Sequence, residues 1–576
     1  MKRGFLFNSV PAPKVGTSVF DLSHEHKLTC AMGQIVPVGV FEQIPGDIFT
    51  IKPSALIRTQ ALISPLMHRV DVSMNAFEVP YRILWDSFED FITGGEDGLA
   101  APEMPYFTLS QIRERLYNNY QYLNEEFGFG SLLDYMGVPL PTKRNAQGVV
   151  VVDWSLPNEA AYNVRISALP FRAYYKIWYD YFRDQNINYR TNSTLFEPQE
   201  IIKPQTYSGK LTIKELASIF GLNHGKPYLR AWKKDYFTSA LPDSQRGPEV
   251  KIPFSGSAPV NGSLDEGDVT FKANPTTAPQ SATTLYGKVV SGKDNEINVY
   301  TNQNAQLNTA VSAVVSNKSV SGTVDLTEVS AVGIIALRNA FKLQQFLERN
   351  NVAGGRYIES ILAHFGVLSP DRRLQRPAYL GGFSQPIQIS EIETNANSNG
   401  ETDNVVGDLA GKGKAFGNFG KYSCMATEHG CVMVFMSIMP TAAYGQGLPR
   451  MFTRMEKFDF AFPEFQNIGE QSIKNQEIYM YQSNPGGDFG YTPRYAEYKY
   501  LPDRFSGDML GSLEYWHMGR SFDSAPTLSQ SFIECHPTDR IFAVQDQVSS
   551  QHIVADIWLD FKAIRKLQKY SLPGLS

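Results

Sequence analysis

At 576 residues, 42% of them apolar and 12% aromatic, the chain has material for three to five ordinary domains, or for one large β-domain with big insertions. Charged residues reach only 19%, against about 25% in a typical soluble protein, so much of the surface is expected to be uncharged or covered by protein. Fifty-three Lys and Arg against 58 Asp and Glu leave a net charge of −5, which excludes nucleic-acid binding by bulk positive charge and leaves only local contacts.

The N-terminal Met1–Asn8 carries Lys2 and Arg3, but its apolar stretch, Phe5–Phe7, is too short for a signal-peptide core of about 7–15 residues. Strand signals follow at Gln34–Val40 and Asp47–Ile51, each closed by proline or glycine. Met67–Ala76 alternates with period two. His68, Val70, Val72, Met74 and Ala76 share one face, and Met67, Arg69, Asp71, Ser73 and Asn75 the other, which predicts a half-buried antiparallel strand. Phe171–Asn186 sets Phe171, Tyr174, Tyr175, Trp178 and Phe182 on one helical stripe, the pattern of a packing helix.

Ser255–Ser330 contains no Arg, His, Trp, Cys or Met and is dominated by small polar residues and valine, so it is expected to be a surface insertion in a body of 1–254 and 331–576. Its short runs Asp268–Lys272, Leu285–Val290 and Ile297–Thr301 lie between turn signals and predict exposed hairpins. Helices are predicted at about Val332–Asn351 and Tyr357–Phe365, and a long loop at Asn395–Gly420. The longest apolar run, Cys431–Met439, falls short of the ~20 residues of a membrane-spanning helix, so no transmembrane segment is expected. Ile553–Phe561 places Ile553, Ala555, Ile557, Leu559 and Phe561 on one face. A strand of this quality at each end suggests one barrel or sandwich that the two ends complete together.

Chemical signatures are weak. Gly407–Lys414 misses the spacing of a phosphate loop and has Ala415 where a hydroxyl is required, and Gly445–Arg450 has Pro449 in place of a dinucleotide turn. His24/His26, His429/Cys431 and Cys535/His536 do not supply the paired ligands of a zinc site, and His24 and His26 are expected to pin the N-terminal segment by hydrogen bonding. Cys30, Cys424, Cys431 and Cys535 are expected as free thiols, and neither a cofactor nor a catalytic residue is assigned. Glu464, Glu470 and Asp503 are the nearest approach to paired carboxylates for a glycoside hydrolase, and aromatic loops could equally serve a glycan-binding protein.

Two small basic groups, Lys2, Arg3 and Lys14 at one terminus and Lys562, Arg565, Lys566 and Lys569 at the other, either face nucleic acid beside Phe561 and Tyr570 or form a solvated surface. Aromatics between prolines and glycines, Tyr106, Phe107, Phe458, Phe460, Phe462 and Phe465, are candidates for contacts between subunits.

Several phrases in chain order resemble the major capsid proteins of the microviruses, and among them the gokushovirus branch. These are Phe20–Gly33 (FDLSHEHKLTCAMG), Phe77–Trp85 (FEVPYRILW), Phe171–Asn186, Asp235–Pro242 (DYFTSALP), Phe365–Leu380 (FGVLSPDRRLQRPAYL), Tyr495–Tyr500 (YAEYKY) and Ser531–Glu534 (SFIE). The resemblance implies a mainly β protein, an eight-stranded antiparallel jelly-roll barrel with long helix- and loop-containing insertions, that builds a T=1 icosahedral shell from pentamers around circular single-stranded DNA. It implies that Ser255–Ser330 forms a three-fold protrusion meeting a host surface receptor. The partners it implies are copies of the chain itself, scaffolding and pilot proteins, a small basic DNA-packaging protein and the packaged single-stranded DNA. The place it implies is the virion, after assembly in the cytoplasm of a bacterial host.

Overall fold

The computed structural model describes residues 16–94, 99–113, 120–157, 159–187, 209–220, 225–245, 258–262, 270–271, 285–289, 297–301, 320–324, 334–353, 375–393, 409–544 and 551–570. The chain divides into two compact units, one of residues 1–246 and 348–576 and the other of 247–347.

The larger unit is built on two antiparallel sheets. Its strands are β1 (Ser18–Asp21), β2 (His24–Cys30), β3 (Val36–Gln43), β4 (Ile48–Thr59), β5 (Val70–Pro80), β6 (Ala378–Pro386), β7 (Gln388–Glu393), β8 (Leu409–Asn418), β9 (Tyr422–Met425), β10 (Gly430–Pro440) and β11 (Ile553–Arg565). A seven-stranded sheet runs β1-β11-β4-β8-β7, with β2 continuing the β1 edge along β11 and β9 continuing the β8 edge along β4; a four-stranded sheet runs β6-β5-β10-β3. The first and last strands are therefore direct neighbours: Ser18 lies opposite Arg565, and His24 opposite Leu559.

Alternation sets what each face buries. Ile553, Ala555, Ile557, Leu559 and Phe561 of β11 and Ile51, Ala55 and Ile57 of β4 enter one core, where they meet Val72, Met74 and Ala76 of β5 and Val432, Val434 and Met436 of β10. The four-stranded sheet is covered on its other face too. Phe77, Val79, Cys431, Met433 and Phe435 enter a second core together with the helical segments of 81–228. β10 is thus buried along its whole length, which accounts for the longest apolar run of the chain as a central strand buried on both faces. The same double burial corrects the half-buried expectation for Met67–Ala76. The strand starts at Val70, and even Asp71 on its supposed solvent face is 5% exposed. Burial opposes the charge of Asp71, yet ion pairs to Lys233 and to Arg69 (3.0 Å) hold its carboxyl below the usual carboxylate range.

Helix α1 (Leu169–Ile177) runs into a π-helical turn, Trp178–Phe182, and buries Phe171, Tyr174, Tyr175 and Trp178 as the stripe predicts. The Tyr174 hydroxyl donates to the Ile35 carbonyl (2.9 Å) and the Trp178 indole to that of Leu229 (3.0 Å), which fixes the helix against the sheet. The expected extension to Asn186 does not form, because Arg183 turns to extended backbone (φ −77°, ψ 144°).

Most of the described part of the expected Asn395–Gly420 loop is strand: residues 409–418 form β8, paired to β4 and β7. Glycines at 411, 413 and 417 read as loop composition, but here they admit close neighbours. A Cβ on Gly411 would land on the Ser64 carbonyl and the Pro65 backbone, and one on Gly413 would meet the side chains of Thr59 and Ile387.

In the smaller unit, Ala258–Gly262 pairs with Val320–Val324, and Leu285–Val289 pairs with both Thr270–Phe271 and Ile297–Thr301, all antiparallel. Helix Ile334–Ala353 matches the expectation for Val332–Asn351 to within two residues at each end. The expected helix at Tyr357–Phe365 lies outside the described residues. The described cysteines are all free thiols, and burial pushes that of Cys30 up to about 12.

The reassignment of β8 has a measurable consequence. Gly411→Ala should cost about 1–3 kcal/mol in a urea melt, since backbone cannot yield. Gly417→Ala, whose methyl meets only the movable Gln385 amide, should cost under about 1 kcal/mol. Small, equal costs would return the segment to a loop.

Candidate assembly surface

Residues 450–468 carry six exposed large apolar side chains. Three short 3-10 turns, Arg450–Thr453, Lys457–Asp459 and Pro463–Phe465, fold it without regular hydrogen-bond ladders, and its prolines and aromatics are poor material for a continuous helix. The Asp459 carboxylate accepts backbone N–H groups of Glu456 and Met455 (2.8 Å each), which hold it below the usual carboxylate range. Phe458 packs edge-on against Phe465 (5.8 Å between centroids), which in turn touches Phe462 (6.2 Å).

Beneath this apolar layer lies a polar network. Arg450 Nη1 donates to the Ser472 carbonyl (2.8 Å) and approaches Glu477, while Arg454 Nη2 donates to Glu497 (3.2 Å) and its guanidinium lies over the ring of Tyr498 (4.3 Å). Gln471 donates to Glu497 (2.6 Å), and Tyr236 donates to Glu477 (2.9 Å). Tyr495, in left-handed backbone (φ 62°), takes its amide to Gln471 (3.1 Å) and accepts the Phe462 amide at its hydroxyl (3.1 Å). The two arginines are met inward, while Met451, Phe452, Met455 (82% exposed), Phe458, Phe460 and Ile468 are exposed in company with the charged residues Glu456, Lys457, Asp459 and Glu464.

Of the aromatics singled out from sequence, Phe458 and Phe460 are exposed, and Phe462 and Phe465 are half-buried. Phe107 corrects the expectation. It is fully buried against Phe171 (5.2 Å) and Phe220 (5.6 Å) on a short strand pairing with Ile166–Ser167, so it has no face for another subunit. Tyr106 is half-buried beneath the Arg165 guanidinium (4.6 Å). Sequence reasoning missed Met451, Phe452, Met455 and Ile468; the signal available was the interleaving of Met and Phe with Arg and Lys from 450 to 460, which fits no helix or strand period.

The terminal basic residues fare differently. Lys2, Arg3 and Lys14 lie outside the described residues. Arg565 is engaged within the unit: it donates to the Glu42 carbonyl (2.9 Å) and its Nε faces Asp47 (3.3 Å). Lys562, Lys566 and Lys569 are exposed. His24 and His26 donate ring N–H groups to the carbonyls of Leu22 (2.9 Å) and Val38 (3.0 Å), the pinning role expected of them.

Among the described residues no group of His, Cys, Asp and Glu is placed to hold a metal ion, and no helix is long and apolar enough to cross a membrane. Residues 409–414 of the discarded phosphate-loop candidate are in β8. Glu464 and Asp503 are exposed, and the acid that bears on Glu470 is Glu348.

The chain matches the family described as capsid protein (F protein) over residues 8–114 and 135–575. It is 32% identical to capsid protein VP1 of Chlamydia phage 1, covering 99% of this chain and 97% of that one. It is 29% identical to capsid protein VP1 of Bdellovibrio phage phiMH2K, with 99% and 97% covered, and 27% identical to capsid protein VP1 of Spiroplasma virus 4, with 99% and 96% covered.

Glu470, at the foot of the apolar segment, gives a pH test. Its carboxyl is pushed up to about 7 by burial and by Glu348, with Lys499 opposing. The folded state holds a proton that the unfolded chain releases near pH 4.5, so the group costs nothing below that pH and progressively more as pH rises through 7. Glu470→Gln should raise the Tm at pH 8 and leave it nearly unchanged at pH 4.5; a difference independent of pH would contradict this.

Proposed function

The chain belongs to the phage capsid protein (F protein) family, and on that premise we propose that it is the shell-forming subunit of a small single-stranded DNA phage, assembling through pentamers into a T=1 icosahedral shell. The observation that carries this reading is the near end-to-end likeness to three phage capsid proteins. The role is structural rather than enzymatic.

Strand order supports a jelly-roll barrel as the body of the subunit. Along the chain β2, β3, β4, β5, β6, β8, β10 and β11 fall alternately in the seven- and four-stranded sheets except at the step from β5 to β6, which stays within the four-stranded one. That sequence of sheets is what two interlocked Greek keys produce. Helical segments between β5 and β6, and the turns between β10 and β11, are then the long insertions of the barrel.

The exposed apolar segment at 450–468 supports assembly. Its Met and Phe side chains, held from below by a satisfied ionic network, are suited to bury against another copy of the chain. Each such contact is modest, and closed symmetry satisfies all of them together. A net charge of −5 leaves the genome's charge to another component, in line with a small basic packaging protein, and scaffolding and pilot proteins complete the particle in the host cytoplasm. Residues 255–330, with their short antiparallel strand pairs, are assigned to the three-fold protrusion that meets a host receptor. No specific observation favours a glycan-binding protein or a glycoside hydrolase: Glu464 and Asp503 are exposed, and the acid that bears on Glu470 is Glu348.

Sedimentation with negative-stain microscopy of the full chain, alone and co-expressed with scaffolding protein, should show pentamers or uniform closed shells; persistent monomers under both conditions would overturn the reading. Replacing Met455, Phe458 and Phe460 together by Ala should reduce the assembled fraction at least tenfold with Tm changed by only a few degrees. Undiminished particle yield would remove this segment from the contacts. Deleting 255–330 should leave soluble, assembling protein that no longer attaches to host cells, and loss of soluble protein would contradict the assignment.

A further inference from the structure

The seven-stranded sheet buries one face in the barrel core and leaves the other largely open. On the open face the register sets side chains in rows. Arg58 of β4 stands directly opposite Lys414 of β8, and Lys412 follows two residues along the same strand face; all three are exposed. Like charges directly opposite on neighbouring antiparallel strands repel across Cβ separations of about 4.5–5.5 Å. Elsewhere on this face cations are answered: Lys27 pairs with Glu25 and Asp556, and Lys52 with Asp560 (3.7 Å). Among the described residues no carboxylate forms an ion pair with Arg58, Lys412 or Lys414, so the positive charge left over is concentrated at one place.

Aromatic rings flank that place. Phe416, two residues on from Lys414 and opposite Leu56, is 76% exposed, and Trp558 of β11, opposite Ser54, is 45% exposed. Beside Arg58 the sheet face and the 129–135 segment line a cleft of about 670 Å³ that also holds the half-exposed Phe129 and the carboxylates of Asp134 and Asp556, so phosphates are placed on the Lys412 and Lys414 side of Arg58, away from these acids. Unneutralised cations in line with exposed ring faces answer two needs at once, a charged backbone and flat uncharged groups along it.

We propose that this open sheet face binds an unpaired nucleic-acid strand, with Arg58, Lys412 and Lys414 on phosphates and Phe416 and Trp558 offering ring faces to bases. The inference rests on the capsid reading for the presence of an enclosed nucleic acid, and it places the contact on the sheet rather than at the basic termini. Charge selects this occupant over a second copy of the chain: an apolar partner would leave three cations unanswered, whereas each phosphate contact releases a counterion.

The test is fluorescence anisotropy of the full chain with a labelled single-stranded oligothymidine of about 16 nucleotides, one upper-range site size. Arg58→Ala, Lys412→Ala and Lys414→Ala combined should weaken binding at least tenfold and reduce the salt slope by about 2, at roughly 0.7 per phosphate contact. Phe416→Ala should weaken it roughly tenfold with the slope unchanged. Since the cations repel one another, the triple variant should melt no lower than wild type, and Lys414→Gln provides a milder variant retaining most of the side-chain stem. Unchanged affinity in both the triple and Phe416→Ala variants would overturn the proposal. So would a triple variant that loses self-association while binding oligonucleotide normally, which would mark the face as a contact between copies. Wild-type shells with unaffected oligonucleotide binding in the variants would sink this inference and spare the capsid reading; absent shells with binding lost in the variants would do the reverse.

Discussion

The pairing of the last strand with the first ones is the constraint on which the rest of the larger unit depends. β11 is held on one side by β4, from Ile553 opposite Thr59 to Ile564 opposite Ile48, and on the other by β1 and β2. Its odd-numbered side chains from Ile553 to Ala563 all enter the core between the two sheets, and its even-numbered ones, Trp558 among them, form the open face. A slip of one residue would exchange the two sets, burying Asp556 and Asp560 and exposing Ile557 and Phe561. The core and the open face of the sheet are thus fixed by one register. This pairing joins residues more than five hundred positions apart, so the seven-stranded sheet cannot complete before the chain's far end is available.

The four-stranded sheet answers to a different demand. With one face on the core between the sheets and the other on the helical segments of 81–228, β5 and β10 admit almost no solvent and tolerate Asp71 only because Lys233 and Arg69 meet it. In the 450–468 segment Arg450 and Arg454 are paired with Glu477 and Glu497, and Met455, Phe458 and Phe460 are exposed among charged side chains such as Glu456 and Lys457. Large exposed aromatic and Met side chains in a polar surround suit a surface covered by a neighbouring subunit.

Much of this was legible in the sequence because period-two alternation is a local signal. Ile553–Phe561 and the stripe from Phe171 to Phe182 declare themselves without knowledge of partners. Where partners decide, sequence reading failed. The glycines of β8 mark close neighbours and not flexibility, most sharply Gly411 against the Ser64 and Pro65 backbone, which becomes visible only once those residues are placed beside it. Phe107 looked like an exposed loop aromatic because nothing local shows Phe171 and Phe220 closing over it. Arg565 appeared free among terminal cations because Asp47 and Glu42 are far away in the chain. The likeness spread along the chain supplied the capsid role, which neither composition nor any motif could have provided.

The most direct measurement is a side-chain-resolution electron cryomicroscopy reconstruction of the particle formed by the full chain. The account predicts a closed shell in which Met455, Phe458 and Phe460 are buried against a neighbouring copy. A shell in which those side chains face solvent, or particles without closed symmetry, would contradict it.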